Sequence, residues 1–196
     1  MSSSTIPTTQ APTRIRDGVA LPSPGVWEID PGHADVAFVG RHMVFTKVRG
    51  RFTDVSGAVT IAEDPKDSAL EVEISMASVE SGLGARDEHL RSAEMFDVAA
   101  YPTATFRSVS VDWRGADGTV QGDLTIHGVT RRVPLAVTYE GFARDPWGGE
   151  RAVFSASTRV DREDFGLTWN MALETGGLLV SKEIAIEISV ETVLQR

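Results

Sequence analysis

From about residue 25 onward, apolar and polar positions alternate along the chain with a period of two. Ile184, Ile186, Ile188 and Val190 fall on one side of the C-terminal stretch, with Glu183, Glu187, Ser189 and Glu191 on the other. Val120, Leu124 and Ile126 oppose Thr119, Gln121, Asp123 and Thr125, and Leu70, Val72, Ile74 and Met76 oppose Glu71, Glu73 and Ser75. Val133, Leu135, Val137 and Tyr139 make a further apolar face. One dry and one wet face per strand predicts an antiparallel sheet closed over its own interior. Turn signals at Asp64-Pro65, Asp117-Gly118, His127-Gly128 and Asp145–Gly149 separate the strands. Strands do not alternate with long helical patterns, which argues against a parallel βαβ architecture.

The strands are long. Between Arg49 and Ala62 only Gly50 and Gly57 interrupt the run, and Thr103 to Trp113 is unbroken. At ~3.3 Å per residue such runs reach roughly 35–45 Å, and their edges would stay exposed unless the sheet closes. The expected fold is therefore all-β, an elongated antiparallel barrel of about eight strands, whose interior holds either packed side chains or one slender ligand. Periodicity does not decide between a filled and a hollow barrel. One short helix is predicted within a loop, because Leu90, Ala93 and Phe96 recur at helical spacing while Asp87, Glu88 and Arg91 stay wet.

Composition narrows the function classes. The 196 residues suit one barrel domain over 25–196 preceded by a tail over 1–24. That tail, rich in Ser, Thr and Pro, is expected to be flexible and unpacked. It lacks the ~7–15-residue apolar core of a secretory signal, so a cytoplasmic location is expected. A net charge of −9 disfavours nucleic acid as a partner. The absence of cysteine excludes disulfides and thiolate metal sites. No apolar stretch approaches the ~20 residues that cross a bilayer as a helix.

Several segments, in order, resemble one family. They are Ile29-Asp30-Pro31-Gly32-His33, Val48-Arg49-Gly50-Arg51-Phe52, the charged helix Arg86–Asp97, Tyr101-Pro102-Thr103-Ala104-Thr105-Phe106, Gly122–Thr130 and Asp161–Leu167. Together they resemble the YceI-like lipid-binding proteins over roughly residues 25–191. The resemblance implies an elongated lipocalin-like barrel with an apolar tunnel for a polyisoprenoid, an isoprenoid quinone or a similar amphiphile. Transport or sequestration without catalysis would be its task. No cofactor is required beyond the bound lipid, and homodimerisation stays open. Candidates for the tunnel wall are Phe38, Phe52, Phe106, Leu124, Ile126, Phe142, Phe154, Leu178 and Val180. Beside loops stand Phe45, Phe96, Leu167 and Trp169. A barrel wall and a barrel core use the same residue types, so plain packing is the competing reading for each.

A polar head needs different chemistry. Between Asp35 and Asp54 the chain carries no carboxylate but has Arg41, His42, Lys47, Arg49 and Arg51. Guanidinium groups match oxyanion geometry, which makes Arg41 and His42 candidates for the head group. Arg86, Asp87 and His89 either join them or tie the helix to nearby backbone. Asp161-Arg162-x-Asp164 is expected to be a salt-bridged turn. There is no Gly-x-Ser-x-Gly or His-Glu-x-x-His motif, and the four histidines lack metal-ligand spacing, so no catalytic or metal residue is expected. Two alternatives stay open: an isomerase- or cyclase-type enzyme acting on a bound isoprenoid, and a packed barrel that serves as a protein-interaction module.

Overall fold

The four alternating faces point inward together because each strand pairs with antiparallel neighbours in a register that keeps its apolar set on one side. The computed structural model describes residues 13–43, 45–172 and 178–195. Its strands are β1 (Thr13–Arg16), β2 (Val19–Pro22), β3 (Gly25–His42), β4 (Thr46–Phe52), β5 (Val55–Ile61), β6 (Ala69–Ser75), β7 (Val79–Glu80), β8 (Thr103–Arg114), β9 (Asp117–Ile126), β10 (Val129–Arg144), β11 (Glu150–Asp161) and β12 (Glu183–Leu194). Strands β5, β6, β8, β9, β10, β11 and β12 follow one another around the sheet, and β3 joins β12 to β5. The result is the expected closed antiparallel barrel of eight strands, with one short helix, α1 (Gly84–Arg91).

The long run after Arg49 is one stave in two pieces. β3 pairs with β4 through Val36–His42 and with β5 through Gly25–Glu28, and the chain breaks step at Thr53 and Asp54. The neighbouring stave is split in the same way, into β6 and the short β7. Asp117 and Gly118 belong to β9, and the turn before it falls at Gly115 and Ala116. The His127-Gly128 turn forms as predicted, with both residues at positive φ. Helix α1 stops earlier than its apolar spacing suggests. Turns carry the chain on to residue 100, and Leu90 and Phe96 still pack on the barrel.

The expectation of an unpacked tail to Pro24 is corrected over its second half. β1 and β2 form a hairpin, and Leu21 is only 5% exposed, in a cluster with Trp27, Ile29, Tyr139 and Phe154. Arg14 ties the hairpin to the β5–β6 turn through the carbonyls of Ala62 and Glu63. Residues 1–12 lie outside the described residues.

Candidate ligand site

The barrel encloses a cavity of about 450 Å³. All four predicted faces line it: Ile184 to Val190, Val120 to Ile126, Leu70 to Met76, and Val133 to Tyr139. The barrel is therefore hollow along these faces. An apolar guest gains about 25 cal/mol per Å² of surface removed from water, before the cost of ordering it.

Glycine shapes the wall. Phe38 lies opposite Gly50 and Trp113 opposite Gly118 on paired strands, while Phe106 reaches over Gly122. A Cβ on Gly50, Gly118 or Gly122 would sit 2.3, 2.2 or 2.1 Å from the facing ring, so each aromatic lies flat where its neighbour has no side chain. Phe38, Phe52 and Phe96 form a triangle with centroids 5.6 to 6.4 Å apart. Such offset aromatic contacts fix the rings beyond what area burial alone does.

Polar side chains gather at the end that carries α1 and the loop after β11. Alternation along β3 turns Val36, Phe38, Gly40 and His42 inward, while Arg41 borders the mouth with its guanidinium exposed. Arg86 and His89 on α1 also line this end. Arg86 donates to the hydroxyl and carbonyl of Ser81, at 2.7 Å each. The His89 ring stands edge-on to Trp169 at 4.5 Å and meets Glu94 at 3.1 Å. Asp87 does not line the cavity: its carboxylate accepts from the backbone N–H and hydroxyl of Ser81, which makes it a corner tie. Arg49 pairs with Asp35 and Glu187, and Arg51 with Glu80, so these two cations are spent on the outer surface.

Arg162 is the residue the sequence concealed. The Asp161 carboxylate accepts from the backbone N–H of Glu163 and caps the turn, and Glu163 is held by Lys182. Neither acid forms an ion pair with Arg162, which points inward at 4% exposure. It donates to the carbonyls of Ser181 and Leu167, and its Nη2 has no partner among the described residues. Burial lowers the guanidinium's affinity for its proton. Tyr139, deep toward the hairpin end, is a second such group: its hydroxyl is buried and unpartnered, and desolvation pushes the phenol up. Ser81 and Arg14 also belong to the polar lining that sequence reasoning missed. Arg162 and Ser81 are brought in by turns and Arg14 by the N-terminal hairpin, which fixed spacing does not flag. Tyr139 is visible on its alternating strand but reads there as one more apolar wall residue.

The candidate wall residues Phe38, Phe52, Phe96, Phe106, Leu124, Ile126, Phe154, Leu167, Trp169 and Val180 all line the cavity. Three others do not. Phe45 sits in the β3–β4 turn and is 84% exposed. Leu178 is exposed in the loop after β11. Phe142 follows the irregularity between Tyr139 and Gly141, which carries it beyond the cavity to pack edge-on against Trp27 at 6.4 Å.

Asp30, His33 and Glu191 could offer three ligand atoms within 4.8 Å of one another. Arg151 stands among them, however, donating to Asp30 at 2.5 Å and to Glu191 at 3.2 Å, so the cluster already holds its cation. The Arg151 hydrogen bond, with help from His33, holds the Asp30 carboxyl down at about 2. This network pins the bulge at Pro31 and Gly32, where the β3–β12 register shifts.

The model of the YceI-like domain family matches residues 27–192. The chain belongs to this family. Protein YceI of Salmonella newport is 38% identical over 165 residues, covering 84% of this chain and 83% of the relative. Among solved structures, the Campylobacter jejuni YceI protein superposes with a TM-score of 0.68 at 28% identity, over 80% of this chain and 90% of that one. Burkholderia cenocepacia BcnA shares the fold with a TM-score of 0.73 at 22% identity, over 83% of this chain and 98% of that one. A polyisoprenoid-binding domain from Saccharophagus degradans, implicated in plant cell wall breakdown, shares it at 0.67 and 18%, over 88% and 100%. The hairpin β1–β2 lies before the matched YceI-like region.

Proposed function

We propose that this protein binds a long-chain apolar lipid in the barrel and carries or sequesters it without covalent chemistry. A polyisoprenoid, an isoprenoid quinone or a comparable amphiphile fits the chemistry of the wall. The observation that carries the reading is the cavity of about 450 Å³, walled by Val, Ile, Leu and Phe along the barrel, with Arg41, Arg86, Arg162 and the imidazoles of His42 and His89 gathered at one end. The likeness to a polyisoprenoid-binding domain supports it. The tail would enter toward the hairpin. Its head would stay near His42, Arg86, His89 and Arg41, with Arg162 behind them. The lipid is then the only bound group the function requires.

Carriage is favoured over isomerase or cyclase chemistry by where the titratable groups stand. Most carbon–carbon double bonds of a bound isoprenoid would lie against aliphatic and phenyl side chains, away from the ring of Arg and His at the mouth. Deeper in, Arg14 is tied to the β5–β6 turn, and the Tyr139 phenol is pushed up by desolvation, which makes it a weaker acid. An acid or base must come within hydrogen-bonding reach of the atom it serves. Native mass spectrometry of gently purified protein tests the proposal. A lipid retained in near-stoichiometric amount and released unchanged by solvent is the expected result. Protein that purifies empty and takes up no prenyl or acyl chain would overturn it, and release of chemically altered lipid would restore the enzyme reading.

A further inference from the structure

The mouth carries an exposed apolar rim that the tunnel does not use. Phe45 is 84% exposed in the β3–β4 turn, next to the half-exposed Met43. The loop after β11 brings Met171 and Leu178 beside them. Backbone hydrogen bonds bind the two segments into one surface: Met43 donates to the Leu179 carbonyl at 2.8 Å, and Leu179 to that of Met171 at 2.9 Å. Exposed apolar groups scattered singly need no explanation, but a group rimmed by charge marks a contact surface.

Among the described residues, the charge beside this rim is unbalanced. Arg41 and Lys47 are direct partners across the β3–β4 pair, and both are exposed. Neither has an ion-pair partner among the described residues. Like charges directly opposite on paired strands repel, so the arrangement costs stability unless an anion lies against it. The described carboxylates Glu94 and Glu163 are already engaged by His89 and Lys182.

We propose that this face docks on an anionic lipid bilayer, with Phe45 and Met43 entering the acyl boundary and Arg41 and Lys47 meeting lipid phosphates. The inference rests on the lipid-carrying reading above, because it places the mouth where an apolar ligand can pass between bilayer and barrel without crossing water. An aromatic and a thioether flanked by long cationic side chains suit the headgroup region, where apolar bodies sink and charged ends stay wet. A protruding turn beside a second loop also fits a soft surface better than a flat protein face. The bilayer attraction is local: it opposes the net charge of −9 carried by the whole chain.

Co-sedimentation of the full chain with vesicles of phosphatidylcholine, with and without phosphatidylglycerol, tests the proposal. Uptake of a soluble fluorescent acyl probe is read in parallel. The expected result is capture that rises with phosphatidylglycerol and falls at on the order of 1 M salt, where screening shortens the Debye length to about 3 Å. Phe45→Ser should reduce capture on the order of tenfold, the equivalent of partly burying one phenyl group. Lys47→Glu should abolish the preference for the anionic vesicles. Both variants should take up the probe as the parent does, because neither side chain lines the tunnel. Three results would overturn docking: no capture by either vesicle type, capture unchanged in Phe45→Ser, or self-association of the parent that Phe45→Ser removes, which would assign the rim to a second copy. Failure of probe uptake with vesicle capture intact would instead sink the lipid-carrying reading.

Discussion

Replacing Gly122 with Ala asks whether Phe106 faces free space. A Cβ on Gly122 would sit 2.1 Å from Phe106 Cζ and 2.6 and 2.7 Å from its two Cε atoms. Ordinary carbon contacts lie near 3.5 Å, so the edge of the ring must retreat by about 1.4 Å. Two effects compete. Overpacking in a filled core costs ~1–3 kcal/mol, whereas Ala in place of Gly in a strand gains roughly 0.5–1 kcal/mol by restricting the unfolded chain. Phe106 lines the cavity, so its ring can swing inward, and the cost falls to the low end of that range. The net change should be within about 1 kcal/mol, a shift in Tm of no more than ~4 °C for a chain of this size. Tunnel capacity should drop because the ring now occupies it. Gly50→Ala is the contrast, since the Phe38 ring it displaces is hemmed by Phe52 and Phe96 and the stability loss should be larger. Thermal unfolding and titration with a fluorescent apolar probe read the two quantities separately. A drop of ~6 °C or more in Gly122→Ala, with probe binding intact, would refute the inward-swinging ring.

Leu124→Trp should fold with a modest change in Tm yet exclude the probe, and undiminished uptake would show that the guest lies elsewhere in the barrel. Deleting residues 1–22 should lower Tm by several degrees, because the cluster loses Leu21, whose burial is worth roughly 1.5–3 kcal/mol; unchanged melting would show that the hairpin contributes nothing. In a homologous series of acyl chains, each methylene lost should weaken binding about fourfold, at ~0.8 kcal/mol per buried group. Affinity independent of chain length would move binding out of the tunnel. The folded-state pKa of Asp30 lies near 2, below its value of 3.8 in the absence of neighbours. Its contribution to stability is therefore complete above about pH 4 and lost as the pH falls toward 2. Arg151→Gln should flatten the fall in Tm over that window, and an identical acid profile in the variant would remove Asp30 from the account.

Strands were legible in this sequence wherever one face is wet. Ile184 to Val190 alternate with Glu and Ser because β12 has solvent on one side and the cavity on the other. The same alternation left hollowness undecided, since a guest and a packed side chain ask the same of a wall. The N-terminal hairpin was missed because its strands are only four residues each and Leu21 makes no periodic signal. Asp17-Gly18, both at positive φ, is the two-residue turn that could have found it. Phe45 misled because a loop aromatic beside a strand end can turn to either side, and here it turns to solvent. The basic window looked like one clamp, but β3 and β4 run side by side. Arg49 and Arg51 fall on the outer face against Glu187 and Glu80, leaving Arg41 and His42 at the mouth. Arg162 was obscured by flanking acids whose oxygens cap the turn and bind Lys182 instead.

The seam between β3 and β12 gives the protein a folding order. Trp27 lies beside Leu194, and Val39 beside Ala185, so the first stave meets the last only when nearly the whole chain is available. The hairpins from β8 through β12 join near neighbours and form early, whereas the seam has the largest loop-closure entropy to overcome and sets the pace. Until it forms, β3 and β12 each expose a row of unpaired backbone groups, and a second copy can satisfy them as readily as the chain's own partner. During that interval the barrel is an open trough rather than a tube. A lipid present then is wrapped from the side and enclosed when the last strand lands, without threading through the mouth. Refolding with and without a long prenyl chain should therefore trap ligand faster than the finished barrel admits it.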